Sequence, residues 1–178
     1  MATTSSNKMP LLVDRPMHSF ATVGGTAALT TAGNLNTPSS PGCVLLVDCS
    51  GNDGAIIDSL SIIANEQTTT ASNVIAFLST ATTAASITTA NTVAVAMGAI
   101  TSLAKGDRTN ISLPPITVPV PNLASPAATM ATYPSEVDKK NTGLYVPSGA
   151  LLYVGVDAAL TAPSANTRVH VLAQGGFF

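Results

Sequence analysis

Short runs rich in β-branched and apolar residues recur along this chain, each closed off by Gly, Pro or Asn. They are Phe20–Val23, Ala27–Thr31, Cys43–Asp48, Ile56–Ala64, Asn73–Ser79, Thr92–Ile100, Ile116–Val120, Thr129–Tyr133, Ala150–Val156 and Arg168–Gln174. Runs of this length and spacing predict strands joined by turns. In Asp58-Ser59-Leu60-Ser61-Ile62 the apolar residues share one face and the serines the other, the signature of a half-buried strand. Arg168 to Leu172 alternates as well, with Val169 and Val171 inward and Arg168 and His170 outward. Turns are predicted at Gly24-Gly25, Asn52-Asp53-Gly54, Pro147-Ser148-Gly149 and Gly175-Gly176. The pattern predicts an all-β fold: a two-layer antiparallel sandwich, of the jelly-roll type with about eight strands.

Three stretches depart from that pattern. Residues 1–22 read as an extended N-terminal arm ahead of a sandwich domain over 23–178, because Pro10 and Pro16 and the absence of a sustained period exclude a helix of any length. Thr80–Asn91, rich in Ala and Thr, reads as a loop or a short helix, with β-branched Thr weighing against the helix. Thr109–Pro134 is proline-rich, and Pro119 confines any strand there to a sheet edge.

Composition sharpens the picture at the surface. Of 178 residues only 9% are charged and 46% are hydrophobic, while Ala, Thr and Ser make up more than a third. A folded chain of 17.8 kDa exposes roughly 8,000 Å², which leaves about one formal charge per 500 Å², against about one per 180 Å² for an ordinary composition. Most of the exterior is then neutral Thr, Ser, Asn, Ala and Pro, a surface suited to packing against neighbours. The net charge of -2 and scattered basic residues lack the footprint of a phosphate binder, so no direct nucleic-acid partner is expected. No apolar run approaches the length of a transmembrane helix, and the polar Met1–Asn7 stretch does not read as a secretory leader, so synthesis in a host cytoplasm is expected.

The titratable residues do not assemble into a recognisable catalytic motif. His18 and His170 are far apart in sequence, and no GxSxG, HExxH or P-loop pattern is present. Asp48, Ser50, Asn52, Asp53 and Gly54 place oxygens at the alternating positions of a calcium loop, but Asp53 stands where the sharp turn needs Gly and Ser59 where a bidentate Glu belongs. A polar turn is the expectation there, with no metal or other cofactor. Asn110-Ile111-Ser112 spells a glycosylation sequon without a secretory route to use it. Cys43 and Cys49 bracket the run Val44–Val47; on one strand they would lie about 20 Å apart, beyond the reach of a disulfide, and are expected to be free thiols.

Two stretches carry a family resemblance. Ile57 to Ile62 followed by Gln67 to Leu78 is similar to a hairpin with a Thr-rich turn in tailed-bacteriophage structural proteins. Val146 to Val154 and Val169 to Phe178 resemble the closing strands of the same proteins, the jelly-roll head-decoration, or capsid cement, family. The resemblance implies a non-enzymatic virion protein on the outer surface of an icosahedral head, bridging subunits of the major capsid protein. It also implies a homo-oligomer, a trimer ahead of a dimer. Within that reading Met9, Leu11, Leu12 and Arg15 of the arm are the candidate capsid contacts. The alternative is a receptor- or glycan-binding fibre module, disfavoured by an aromatic content of 4% with no Trp.

Overall fold

The computed structural model describes residues 15–27, 29, 42–88, 90–100, 102–113 and 143–178. Among these residues nine strands follow one another: β1 (Arg15–Gly24), β2 (Val44–Asp48), β3 (Gly54–Ala64), β4 (Asn73–Ser79), β5 (Thr92–Ala99), β6 (Arg108–Ile111), β7 (Leu144–Pro147), β8 (Leu151–Val156) and β9 (Arg168–Phe177). One sheet has the order β1-β9-β3-β6, with β7 pairing β3 beyond the reach of β6, and the other has the order β2-β8-β4-β5. All pairings are antiparallel.

The pairings are nested. β1 pairs with β9, β2 with β8, β3 with β6 and β4 with β5, as in one long hairpin whose tip lies between β4 and β5. Two further pairings, β9 with β3 and β8 with β4, roll that ribbon into two facing sheets. This winding is the jelly roll; β7 is an additional short strand on the β3 margin.

The two sheets face one another across a core built from inward positions. Leu60, Ile62, Val169, Val171 and Ala173 of one sheet pack with Val74, Ala76, Leu152, Val154 and Val156 of the other, all essentially without solvent exposure. A second cluster lies on the outside of the β2-β8-β4-β5 sheet, where Ile75, Phe77, Leu151 and Tyr153 are covered by Leu29, Ala81 and Ile87. β8 is therefore buried on both faces along its whole length, which is why its sequence LLYVGV reads as a continuous apolar run. The covering loop includes a 3-10 turn at Ala84–Ser86. Asn91 braces it by donating to Ser86 O and accepting from the Thr88 amide, and the Tyr153 hydroxyl donates to Ala81 O at 2.9 Å to hold it down.

Several expectations need adjustment. Among the described residues Arg15 is already in a strand, so residues 15–22, read as the end of the arm, pair with β9 over their whole length and bury Met17 and Ala21. Pro16 is compatible with this because, among the described strands, β1 has a neighbour on one side only. Gly175-Gly176 lies inside β9 and makes no turn. Opposite it, β3 carries a bulge between Ile57 and Ser59 that inserts Asp58, and a Cβ at Gly175 would collide with the Ile56 carbonyl. The turns at Gly24-Gly25, Gly54 and Gly149 do occur, each glycine at positive φ. Met1–Asp14, most of Ala27–Thr31, Ile116–Val120 and Thr129–Tyr133 lie outside the described residues.

The glycine at the bulge gives a test. Gly175→Ala should destabilise the fold by about 2 kcal/mol, the cost of forcing β9 away from the Ile56 backbone of its hydrogen-bonded neighbour, read as a lower urea midpoint. Gly106→Ala, with open space around the site but φ +84, should cost about 1 kcal/mol.

Candidate functional site

The outer surface of the β1-β9-β3-β6 sheet is where side chains capable of recognition collect. Strand register sets them in cross-strand rows: Pro16, Gly176, Ile56 and Tyr145; then His18, Gln174 and Ser59; then Phe20, Leu172, Ser61 and Asn110; then Thr22, His170, Ile63 and Arg108. Their inward neighbours Ala21, Val23, Leu60, Ile62, Val169 and Val171 fill the core, so alternation along each strand turns this set outward. Phe20 is 71% exposed and Tyr145 48% exposed. The contrast with the opposite sheet is sharp, since there the outer aromatic residues Phe77 and Tyr153 are fully buried.

Hydrogen bonds fix the polar members of this face. Gln174 Nε2 lies 2.8 Å from His18 Nε2, and its Oε1 accepts from Ser59 Oγ at 3.2 Å. His170 Nδ1 lies 2.9 Å from Thr22 Oγ1. The Arg108 guanidinium reaches diagonally to donate to Ser61 Oγ at 2.7 Å, which leaves Ser61 buried beneath it. The two histidines, distant in sequence, thus share one face, each engaged with a neighbour on its own sheet. Asp58, the residue added by the β3 bulge, is exposed.

Arg15 stands at one end of this sheet. Its guanidinium donates to Asn52 Oδ1 at 2.5 Å and sits 5.5 Å from the Phe177 ring centroid, so it ties the start of β1 to the 49–53 turn and to the chain end. Phe178 adds a ring 6.1 Å from Tyr145. Met9, Leu11 and Leu12 lie outside the described residues, and of the four candidate capsid contacts Arg15 alone can be placed. Phe20, Leu172, Ile63 and Tyr145 are members of the face that sequence reading did not single out; the alternation already visible in β9 carried the signal for one strand of it.

The remaining polar constellations serve the fold. The Asp48 carboxylate accepts from the Ser50 amide at 2.8 Å, and Ser50 holds it below the usual carboxylate range; with Ser148 Oγ donating to Asn52 O at 2.9 Å this segment is a hydrogen-bonded turn. No group of three or more His, Cys, Asp or Glu residues converges among the described residues. Asp157 accepts from the Asn73 amide, Asn73 Nδ2 and Ser72 Oγ, locking the end of β8 to the start of β4. Glu66 accepts from Ser164 and Thr167 hydroxyls.

Cys43 and Cys49 are free thiols at the two ends of β2, the first half-buried and the second fully buried. Burial pushes each up to about 11, and the neighbouring Asp48 charge adds to the effect at Cys49. Burial raises Tyr153 in the same direction. An unfolded thiol ionises near 9.0, so above that pH the native state keeps protons that the unfolded chain has lost. Their contribution is complete below pH 9.0 and lost as pH rises to about 11. The urea midpoint should therefore fall between about pH 8 and about pH 10.5, and the Cys43→Ser/Cys49→Ala double variant should remove most of that fall.

Comparison with protein-family models, with curated proteins and with solved structures finds no match to this chain.

Proposed function

We propose that this chain is a non-enzymatic structural protein of a virion, a jelly-roll decoration protein that sits on the outside of an icosahedral phage head and bridges subunits of the major capsid protein. The observation that carries the reading is the nested winding of the strands into two facing sheets, the jelly roll expected of the decoration proteins that the sequence resembles. The low charge density of the sequence supports the same reading, because a neutral Thr, Ala and Ser surface costs less to desolvate against a neighbour than a charged one. Asp157, Glu66, His18 and His170 are engaged in hydrogen bonds within the fold, which favours a structural role for them over catalysis.

In this reading the segment ahead of β1, with Met9, Leu11 and Leu12, supplies apolar contacts to the capsid. Quantitative mass spectrometry of particles purified from the culture that produces the protein tests the proposal. The expected result is a copy number that is a simple multiple of a capsid symmetry position. Deletion of Met1–Val13, which ends before β1, should leave β-type circular dichroism unchanged and reduce binding to heads lacking the protein at least tenfold. Absence from particles together with glycan-array binding by the isolated chain would replace decoration with the receptor-binding alternative.

A further inference from the structure

We propose that the outer face of the β1-β9-β3-β6 sheet is the interface with a second copy of this chain, the two related by a twofold axis along the Phe20, Leu172, Ser61, Asn110 row. Three properties of the face argue for a self-partner.

The first is the placement of its apolar residues. Phe20 and Leu172 are directly paired across β1 and β9, so an axis along their row stacks Phe20 on Phe20 and Leu172 on Leu172 of the other copy. That removes the most exposed large apolar side chain of the described residues, at 71%, from water.

The second is charge. On the strands of this sheet the carboxylate is Asp58, one row to one side of the axis beside Ser59, and Arg108 lies one row to the other side opposite Ile63. Rotation about the axis carries the Arg108 row of each copy over the Asp58 row of its partner. Both residues are exposed. The face is thus complementary to itself, and a shift by one row along the strands would lose both the apolar stack and the ion pairs.

The third is size. β1 and β9 with 10 residues each, β3 with 11, and β6 and β7 with 4 each beside β3, at about 3.3 Å per residue and about 4.8 Å between strands, give a plan area of roughly 600 Å². Two such faces bury about 1,200 Å², the lower limit for a stable specific interface. The opposite sheet offers no equivalent, since its outer aromatic residues are already covered by the chain's own 80–91 loop and Leu29.

Multi-angle light scattering on the purified full chain, at tens of micromolar, tests the proposal. The mass should be twice 17.8 kDa. Phe20→Ser should weaken association at least tenfold with unchanged circular dichroism, because Phe20 contributes little to the fold. Leu45→Ser, at the 40% exposed apolar position of the other sheet, should leave the mass doubled. Asp58→Arg and Arg108→Asp should each weaken the pair, and the double variant Asp58→Arg/Arg108→Asp should regain it. A wild-type mass of one or three chains would overturn the proposal, as would a Phe20→Ser variant that associates like wild type or a charge exchange that restores nothing.

Discussion

The whole architecture depends on the two last strands. β9 runs between β1 and β3, and β8 between β2 and β4, so each sheet has a C-terminal strand at its centre. Without them β1 and β2 have no hydrogen-bonded neighbour among the described strands, and the nested ribbon cannot roll. The partners are remote in sequence: Val23 pairs with Val169 and Val44 with Val154. Closing such distant contacts costs chain entropy before any burial repays it. What repays it is visible in the composition of the two strands. β8 is buried at every position, and β9 sends Val169, Val171 and Ala173 into the core with no exposure. Side-chain locks then fasten the ends of the roll: the Asp157 carboxylate at the start of β4, and the Arg168 amide donating to Asn65 Oδ1 at 2.7 Å.

The same winding makes the two outer faces unlike. In the β2-β8-β4-β5 sheet, outward positions on β4 and β8 are Ile75, Phe77, Leu151 and Tyr153, too apolar to leave in water, and the chain covers them with Leu29, Ala81 and Ile87. In the other sheet the outward positions mix Phe20, Leu172 and Ile63 with Ser, Thr, Gln, His and Arg side chains that bond to one another across strands. Such a face tolerates water but gains from excluding it. That intermediate character is what a reversible packing surface requires, and it links the fold to the proposed pairing of two copies: one sheet faces its own chain, and the other is available to a second copy.

Much of this was legible in the sequence. Asn73–Ser79 is β4 to the residue, and β3, β5, β8 and β9 match their predicted runs to within a few positions, because each has enough β-branched or apolar residues to declare its period. β6 was missed for a physical reason: RTNI has one buried apolar residue, and its strand conformation comes from pairing with β3. β7, at four residues, is held by the same long strand. The first half of β1 was hidden by Arg15 and Pro16, which read as an arm but sit on an edge strand with one partner. Gly175-Gly176 misled because glycine marks turns more often than close backbone approach, and the bulge that demands it lies in β3, more than a hundred positions away. The candidate face was the least legible feature. Its members come from five strands, and which of them share a row depends on register that no single strand records.

Native-state hydrogen exchange, resolved to individual amides, tests most directly the claim that β8 and β9 hold the roll together. If they do, amides across Leu151–Val156 and Val169–Ala173 exchange only through global unfolding, with an opening free energy equal to that from urea denaturation. Amides of these two strands that open with the low protection of β2 or β6, while β3 and β4 stay fully protected, would contradict it.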